Sequence, residues 1–375
     1  MPLYHSTATL LGFCPVLGLG STIIIGRKFS NRTFWPEVRE SKATIIQYVG
    51  ETCRYLLAAP PLLDPITGRN LDKDHHVRVA YGNGLRPDVW DRFKTRFGIE
   101  SIAEMYSASE ATSASWNFSS NGFSSGAIGR AGTIITAMLK NKQVLVEVDW
   151  EAEVPLRDPQ RQNFCKKVER GDPGEVLWKL DPADISALFA GYLGNEKATN
   201  SKVIRDVLVK GDAYFRTGDV MRWDKEGRIW FVDRIGDTFR WKSENVSTSE
   251  VAEAVGGHPA VVEANVYGVE LPNHDGRAGC VAIIFDREVD RNLLSSVSEH
   301  VRQTLPKYAV PLFLRVTKDM QTTGTNKQQK HILRGHGVEP GKITEGDKLY
   351  WLKDGSYMEF ESKDWENLQA GSVKL

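Results

Sequence analysis

The 375 residues leave room for two or three domains and carry 48 basic against 48 acidic side chains, so core burial is not limiting and net charge is zero. Without a polybasic block, nothing in the charge recommends nucleic acid or an anionic membrane surface as a partner. Cys14, Cys53, Cys165 and Cys280 form no CxxC and join no His pair at ligand spacing, which argues against structural zinc and for a reduced, intracellular protein.

The chain opens on an uncharged run, Ala8–Ile25, followed by Arg27-Lys28. Gly12, Pro15, Gly18 and Gly20 interrupt it, and it barely reaches the length of a spanning helix. The expectation is a helix over Ala8–Leu17, a Gly turn and a buried strand over Thr22–Ile25, with a membrane anchor, and so peripheral membrane contact, as the alternative. Thr44–Tyr48 reads as a strand, Glu51–Ala58 as a short helix and Val77–Tyr81 as a strand entering the Gly82-Asn83-Gly84 turn. Pro87–Phe97 reads as a helix with Pro at its start, Ile102–Tyr106 as a third strand, and 113–132 as a Ser/Gly/Asn-rich loop. His75-His76 read as exposed loop residues. This alternation signals layered α/β architecture.

From about 144 to 233 short β-like runs take over, Val144–Val148, Val176–Leu180 and Ile229–Val232, interrupted by the polar stretch Pro155–Arg170. A further unit starts near Asp233. Ser247-Thr248-Ser249-Glu250 is a capping-box pattern opening a helix through Val255. Val261–Val269 and Cys280–Phe285 read as strands, and Leu293–Leu305 as an amphipathic helix.

Four places carry chemistry. In Phe215-Arg216-Thr217-Gly218-Asp219 the carboxylate of Asp219 ends a tight Thr-Gly turn, and Arg234 adds a planar donor fork after Ile229–Val232. An acceptor for hydroxyls and a donor for oxygens suit a ribose diol; the bland alternative is a surface turn and an ordinary ion pair. Tyr106-Ser107-Ala108-Ser109-Glu110 follows a strand, where open α/β sheets bind ligands. There an aromatic can stack on a purine, the Ser109 hydroxyl can bond an α-phosphate, and Glu110 can hold Mg²⁺; a helix N-cap is the alternative. Gly82, Asn83 and Gly84 let the backbone pass beneath a base with Asn83 at its edge, although a plain strand-to-helix turn looks the same. Lys327, in Thr323-Gly324-Thr325-Asn326-Lys327, can neutralise a carboxylate attacking an α-phosphate; solvated surface charge is the alternative, and Lys330 is the alternative in register.

Taken in order, these motifs resemble the adenylate-forming enzymes. The run Asp233-Arg234-Ile235-Gly236-Asp237-Thr238-Phe239-Arg240-Trp241 and Gly82-Asn83-Gly84-Leu85-Arg86 look like their fatty acid transport protein/very-long-chain acyl-CoA synthetase branch. Tyr106–Glu110 is similar to the family's Tyr-Gly-x-Thr-Glu, with Ser107 for Gly and Ser109 for Thr. Leu305–Ala309, Leu368–Gly371 and Met1-Pro2-Leu3-Tyr4-His5-Ser6 resemble the branch as well. The resemblance implies an ATP-dependent acyl-CoA synthetase using ATP, Mg²⁺ and CoA on a small-molecule carboxylic acid, long or very long in chain. It implies a partial large α/β domain over 1–233, β-rich from 144, and a small α+β lid over 234–375. Within that frame Tyr106 meets adenine, Asp219 and Arg234 the ribose, Glu110 the metal, and Lys327 drives adenylation from the lid. Gly236 is the hinge, His5 borders the acyl pocket, and Arg240, Trp241 and Lys242 border the CoA entry. Ser243 stands where the family has Gly.

No stretch matches the family's Ser/Thr/Gly-rich phosphate-binding loop, so the chain resembles the C-terminal part of such an enzyme. The rival expectations are a non-catalytic truncated remnant and a membrane-associated fatty acid carrier. The terminal Val373-Lys374-Leu375 resembles a peroxisomal signal with Val at its first position; otherwise the expected location is cytoplasmic.

Overall fold

The computed structural model describes residues 3, 5–108, 110, 113–320 and 329–373. These divide into two compact units, the first running to Phe231 and the second starting at Val232.

The first unit holds two main sheets. In one, the strands Ile45–Val49, Val79–Asn83 and Ser101–Tyr106 run parallel in that order, and Ser115–Ser119 adds an antiparallel edge. The helices Gly50–Ala58 and Pro87–Phe97 follow the first two strands, the second starting on Pro87 and ending at the left-handed Gly98. Phe93, Phe97, Trp90 and Val89 from Pro87–Phe97 pack with Ile46, Tyr48, Ala80 and Ile102 of the sheet as one core. Parallel sheets are ordinarily covered on both faces, yet on the other face Ile45, Trp116 and Phe118 are exposed.

The second sheet is antiparallel, in the order Gly129–Arg130, Arg228–Arg234, Ala213–Trp223, Pro173–Leu180 and Gln143–Val146, with Val203–Arg205 also pairing with Ala213–Trp223. Its one face buries Val176, Trp178, Phe215 and Ile229, and its other face Leu177, Val146 and Tyr214. Arg228–Arg234 then carries the chain into the second unit.

That unit is a five-stranded mixed sheet in the order Val261–Glu270, Arg277–Phe285, Phe313–Val316, Lys348–Lys353 and Ser356–Glu359, with only the Arg277–Phe285/Phe313–Val316 pair parallel. The helices Thr248–Gly256 and Arg291–Thr304 are capped by the side chains of Ser247 and Asp290, and they bury Val251, Val255, Val297 and Val301 in its core.

Three expectations are corrected here. Residues 7–19 are helical, as a π-helix over Thr7–Phe13 and an α-helix over Cys14–Leu19, but Thr22–Ile25 is irregular, with Ile24 and Ile25 exposed. No described strand pairs with it, so its backbone has no ladder to join. No described helix is long and apolar enough to cross a membrane. Residues 113–132 are more than a loop, because they hold the strands Ser115–Ser119 and Gly129–Arg130. His75 is half-buried and stacks on Trp35, centroids 4.6 Å apart, and burial lowers its pKa.

Candidate functional site

The turn at the end of Val79–Asn83 is shaped by glycines. A Cβ on Gly82 would lie 2.1 Å from the Tyr48 carbonyl oxygen, and one on Gly50 would lie 1.7 Å from that of Gly84. Gly84 itself sits at φ +76°. The turn's backbone amides are held by a residue that motif reading missed. Glu104, 1% exposed, accepts the N–H of Gly84 at 2.6 Å and of Leu85 at 3.2 Å on Oε1, and the Tyr48 hydroxyl on Oε2. Burial pushes this carboxyl up to about 8, against the lowering effect of its three donors. Asn83 Oδ1 is shielded and accepts no hydrogen bond from the described residues.

Thr217-Gly218-Asp219 proves to be a bulge inside Ala213–Trp223 rather than a turn between strands. Residues 216 and 220 pair with Leu177 and Glu175, so the bulge spans a single opposing residue. Gly218 takes φ +76°, and the Thr217 hydroxyl bonds the Val176 carbonyl at 2.8 Å. Glu175, fully buried, accepts the Arg216 guanidinium at 2.8–3.3 Å and the Gly218 N–H at 3.2 Å. This pair fixes the bulge, and its carboxylate, like Glu104, belongs to none of the motifs read from the sequence. The same geometry presents Asp219, whose Oδ2 accepts the Tyr106 hydroxyl. Two runs more than a hundred residues apart therefore meet in the first unit.

Glu110 is partly exposed and accepts the Tyr192 hydroxyl at 2.9 Å. Burial and then the nearby carboxylate raise that phenol to about 12, so it stays a donor. No group of three or more His, Cys, Asp or Glu side chains among the described residues could hold a metal ion. A single carboxylate nevertheless fits Mg²⁺ where substrate phosphates and waters supply the other ligands. Ser109 lies outside the described residues, and so does Lys327. His5 accepts the Thr7 N–H at 3.3 Å near the start of the first helix.

In the second unit Arg234 is exposed. Asp233 beside it, 2% exposed, accepts the Arg234 and Thr248 N–H groups and the Thr248 hydroxyl, tying the turn to the start of Thr248–Gly256. Gly236 has no positive φ, and a Cβ there would meet open space, so this conformation does not itself require glycine. Its carbonyl accepts Arg334 at 3.0 Å. Asp237 pairs with Lys330 at 3.1 Å and Arg334 at 2.6 Å. Burial pushes its carboxyl up, but these two cations prevail and hold it below its usual value. Lys330 also donates to the Thr248 hydroxyl at 2.6 Å, so it is engaged within its own unit.

Arg240, Trp241, Lys242 and Ser243 form the tip of the hairpin Phe239–Trp241/Glu244–Val246. Arg240, Lys242 and Ser243 are exposed, but Trp241 is only 7% exposed and belongs to the core of this unit. An indole offered to CoA does not fit that burial; here it anchors the hairpin. Lys242 and Ser243 take φ +52° and +67° as the two-residue loop, a conformation suited to Asn-Gly.

Residues 1–193 match the family model of the AMP-binding enzymes, and residues 250–327 match that of the AMP-binding enzyme C-terminal domain. The whole chain aligns at 43% identity with a very long-chain fatty acid transport protein of Cochliobolus heterostrophus, covering 57% of that relative. It aligns at 39% with isopenicillin N epimerase component 1 of Hapsidospora chrysogena, covering 61%. The chain thus spans somewhat more than half the length of the curated relatives it matches. Among solved structures, ATP-bound MatB from Rhodopseudomonas palustris superposes with a TM-score of 0.66 at 22% identity, over 89% of this chain and 58% of that one. The MenE o-succinylbenzoate CoA synthetase of Bacillus subtilis, in complex with its acyl-adenylate, gives 0.61 at 19%, over 89% and 59%. At those identities the likeness shows the fold.

Proposed function

We propose that this chain, which belongs to the AMP-binding enzyme family, acts as an ATP-dependent acid–CoA ligase on a fatty acid or related carboxylate. The reaction joins the acid to the α-phosphate of ATP with release of pyrophosphate, and CoA then displaces AMP to give the thioester. The observation that carries the reading is the hydrogen bond between Tyr106 and Asp219, two motif residues more than a hundred positions apart. In this reading the Tyr106 ring faces the base while Asp219 accepts ribose hydroxyls, and Arg234 is a donor for the ribose oxygens.

Glu110, oriented by Tyr192, would hold Mg²⁺. When bound, the metal would neutralise charge at the phosphates. Lys327 meets the negative charge that grows as the carboxylate attacks the α-phosphate. Asp237, by holding Lys330 and Arg334, anchors the chain a few residues beyond Lys327. Gly236 lies at the hinge between the two half-reactions, and Arg240 and Lys242 offer exposed cations to CoA phosphates. The names of the curated relatives support a long-chain acid.

The test is acyl-CoA formation by the purified 375-residue chain with MgATP, CoA and C16–C24 acids, beside Lys327→Ala. Turnover that Lys327→Ala abolishes supports the ligase. Equal background in both, with folded protein, removes it. A membrane-associated carrier would instead float with liposomes and show no acid-dependent use of ATP.

A further inference from the structure

Tyr48, Gly82 and Glu104 are paired across three neighbouring parallel strands, forming one row. The middle member has no side chain, and none would fit, since a Cβ on Gly82 would also lie 2.7 Å from the Tyr48 ring. Across that gap the Tyr48 hydroxyl reaches the Glu104 carboxyl, and both residues are buried, at 3% and 1% exposure. The remaining oxygen of Glu104 collects the Gly84 and Leu85 amides. Gly50 completes the arrangement by letting the helix Gly50–Ala58 start against the Gly84 carbonyl. A carboxyl in such an apolar core is costly unless its donors compensate. Among the described residues its donors come from the turn and from the tyrosine that braces it.

We propose that Glu104 is a positioning residue for base recognition, holding the Gly82–Leu85 turn from within the core so that its outer surface fits a flat heterocycle. The inference rests on the nucleotide reading above. What the turn needs from Glu104 is an acceptor, not a charge. The protonated acid keeps Oε1 for both amides, while its O–H donates to Tyr48, whose hydroxyl turns to accept. Burial supports this, since it holds the acid protonated to about pH 8. Gln can make the same set of bonds, with its amide N–H₂ facing Tyr48. Met, of similar length, offers neither amide an acceptor, and the one on Leu85 is buried.

The experiment is calorimetric titration of the 375-residue chain with AMP, CMP and ribose 5-phosphate. In Glu104→Met, AMP affinity falls about tenfold and the preference for AMP over CMP collapses, while ribose 5-phosphate changes less than about twofold. Glu104→Gln restores most of the loss. A purely structural role would weaken all three ligands together, and that result overturns the proposal. Equal AMP binding and equal base preference in wild type and Glu104→Met overturn it too, leaving the nucleotide reading intact. A folded wild type that binds none of the three ligands removes the nucleotide reading and this inference with it. Should Glu104→Met fail to fold, hydrogen exchange on wild type decides. Gly84 and Leu85 amides protected like core strand amides support the proposal, and exchange as fast as in the exposed turns overturns it.

Discussion

Replacing Glu104 by Gln should make the protein's stability less sensitive to alkaline pH. The native carboxyl titrates near 8, against a usual 4.5, because burial disfavours its anion. The native state therefore holds this proton more tightly than the unfolded chain. Its contribution is fully present below about pH 4.5, drains as pH rises, and is exhausted above about pH 8. At 1.36 kcal/mol per pKa unit, the loss relative to low pH is about 2 kcal/mol at pH 6 and about 5 kcal/mol at pH 9. Glu104→Gln cannot ionise, so its stability relative to wild type should improve by about 3 kcal/mol between these pH values. Any constant cost of the substitution cancels in that difference. Urea denaturation of both proteins at pH 6 and pH 9 reads it directly. A gap between variants that stays within about 0.5 kcal/mol across the two pH values would refute the reasoning, because the carboxyl would then titrate normally in the native state.

Other perturbations follow from the geometry. Ser243→Gly should raise the stability of the second unit by about 0.5–1 kcal/mol, since Ser243 occupies φ +67° in the hairpin tip, and thermal melting would reveal it. Arg216→Met leaves the carboxylate of Glu175 buried without its partner and should cost about 3–5 kcal/mol in urea denaturation. Adding Glu175→Gln, which keeps an acceptor for the Gly218 N–H, should recover at least half of that; no recovery would mean the pair is not the cause. Asp237→Asn removes one charge from a carboxylate shared by Lys330 and Arg334 and should destabilise the second unit. Because the Asp237 pKa is depressed, its contribution is present above the usual carboxylate range and fades as pH falls through the native value. The penalty of Asp237→Asn should therefore shrink in acid, and a penalty unchanged at low pH would contradict the pairing.

Much of the fold was legible because short apolar strands ended at Gly or Pro punctuation. Val79–Asn83 runs into Gly84, and Pro87–Phe97 has Pro at its first position and Gly98 beyond its last. The edge strand Ser115–Ser119 escaped because its pattern is inverted. Asn117 and Ser119 are buried while Trp116 and Phe118 are exposed. Asn117 can sit inside because its amide donates to the carbonyls of Ser124 and Ala127, a pairing that periodicity cannot reveal. Thr22–Ile25 failed for the opposite reason, since apolar residues alone do not make a strand without a neighbour. Family and fold class agree with the comparisons. Residues with chemical motifs, such as Tyr106, Glu110 and Asp219, could be nominated from sequence. The residues that aim them could not. Glu104, Glu175 and Tyr192 act through pairings with residues distant in sequence, and only folding brings them to the groups they hold.

The most direct test of the ligase assignment isolates the first half-reaction: exchange of labelled pyrophosphate into ATP by the 375-residue chain, with and without a C16–C24 acid. The account predicts exchange that requires both acid and Mg²⁺ and is lost in Lys327→Ala. Folded, AMP-binding protein with no acid-dependent exchange above the Lys327→Ala background would contradict it.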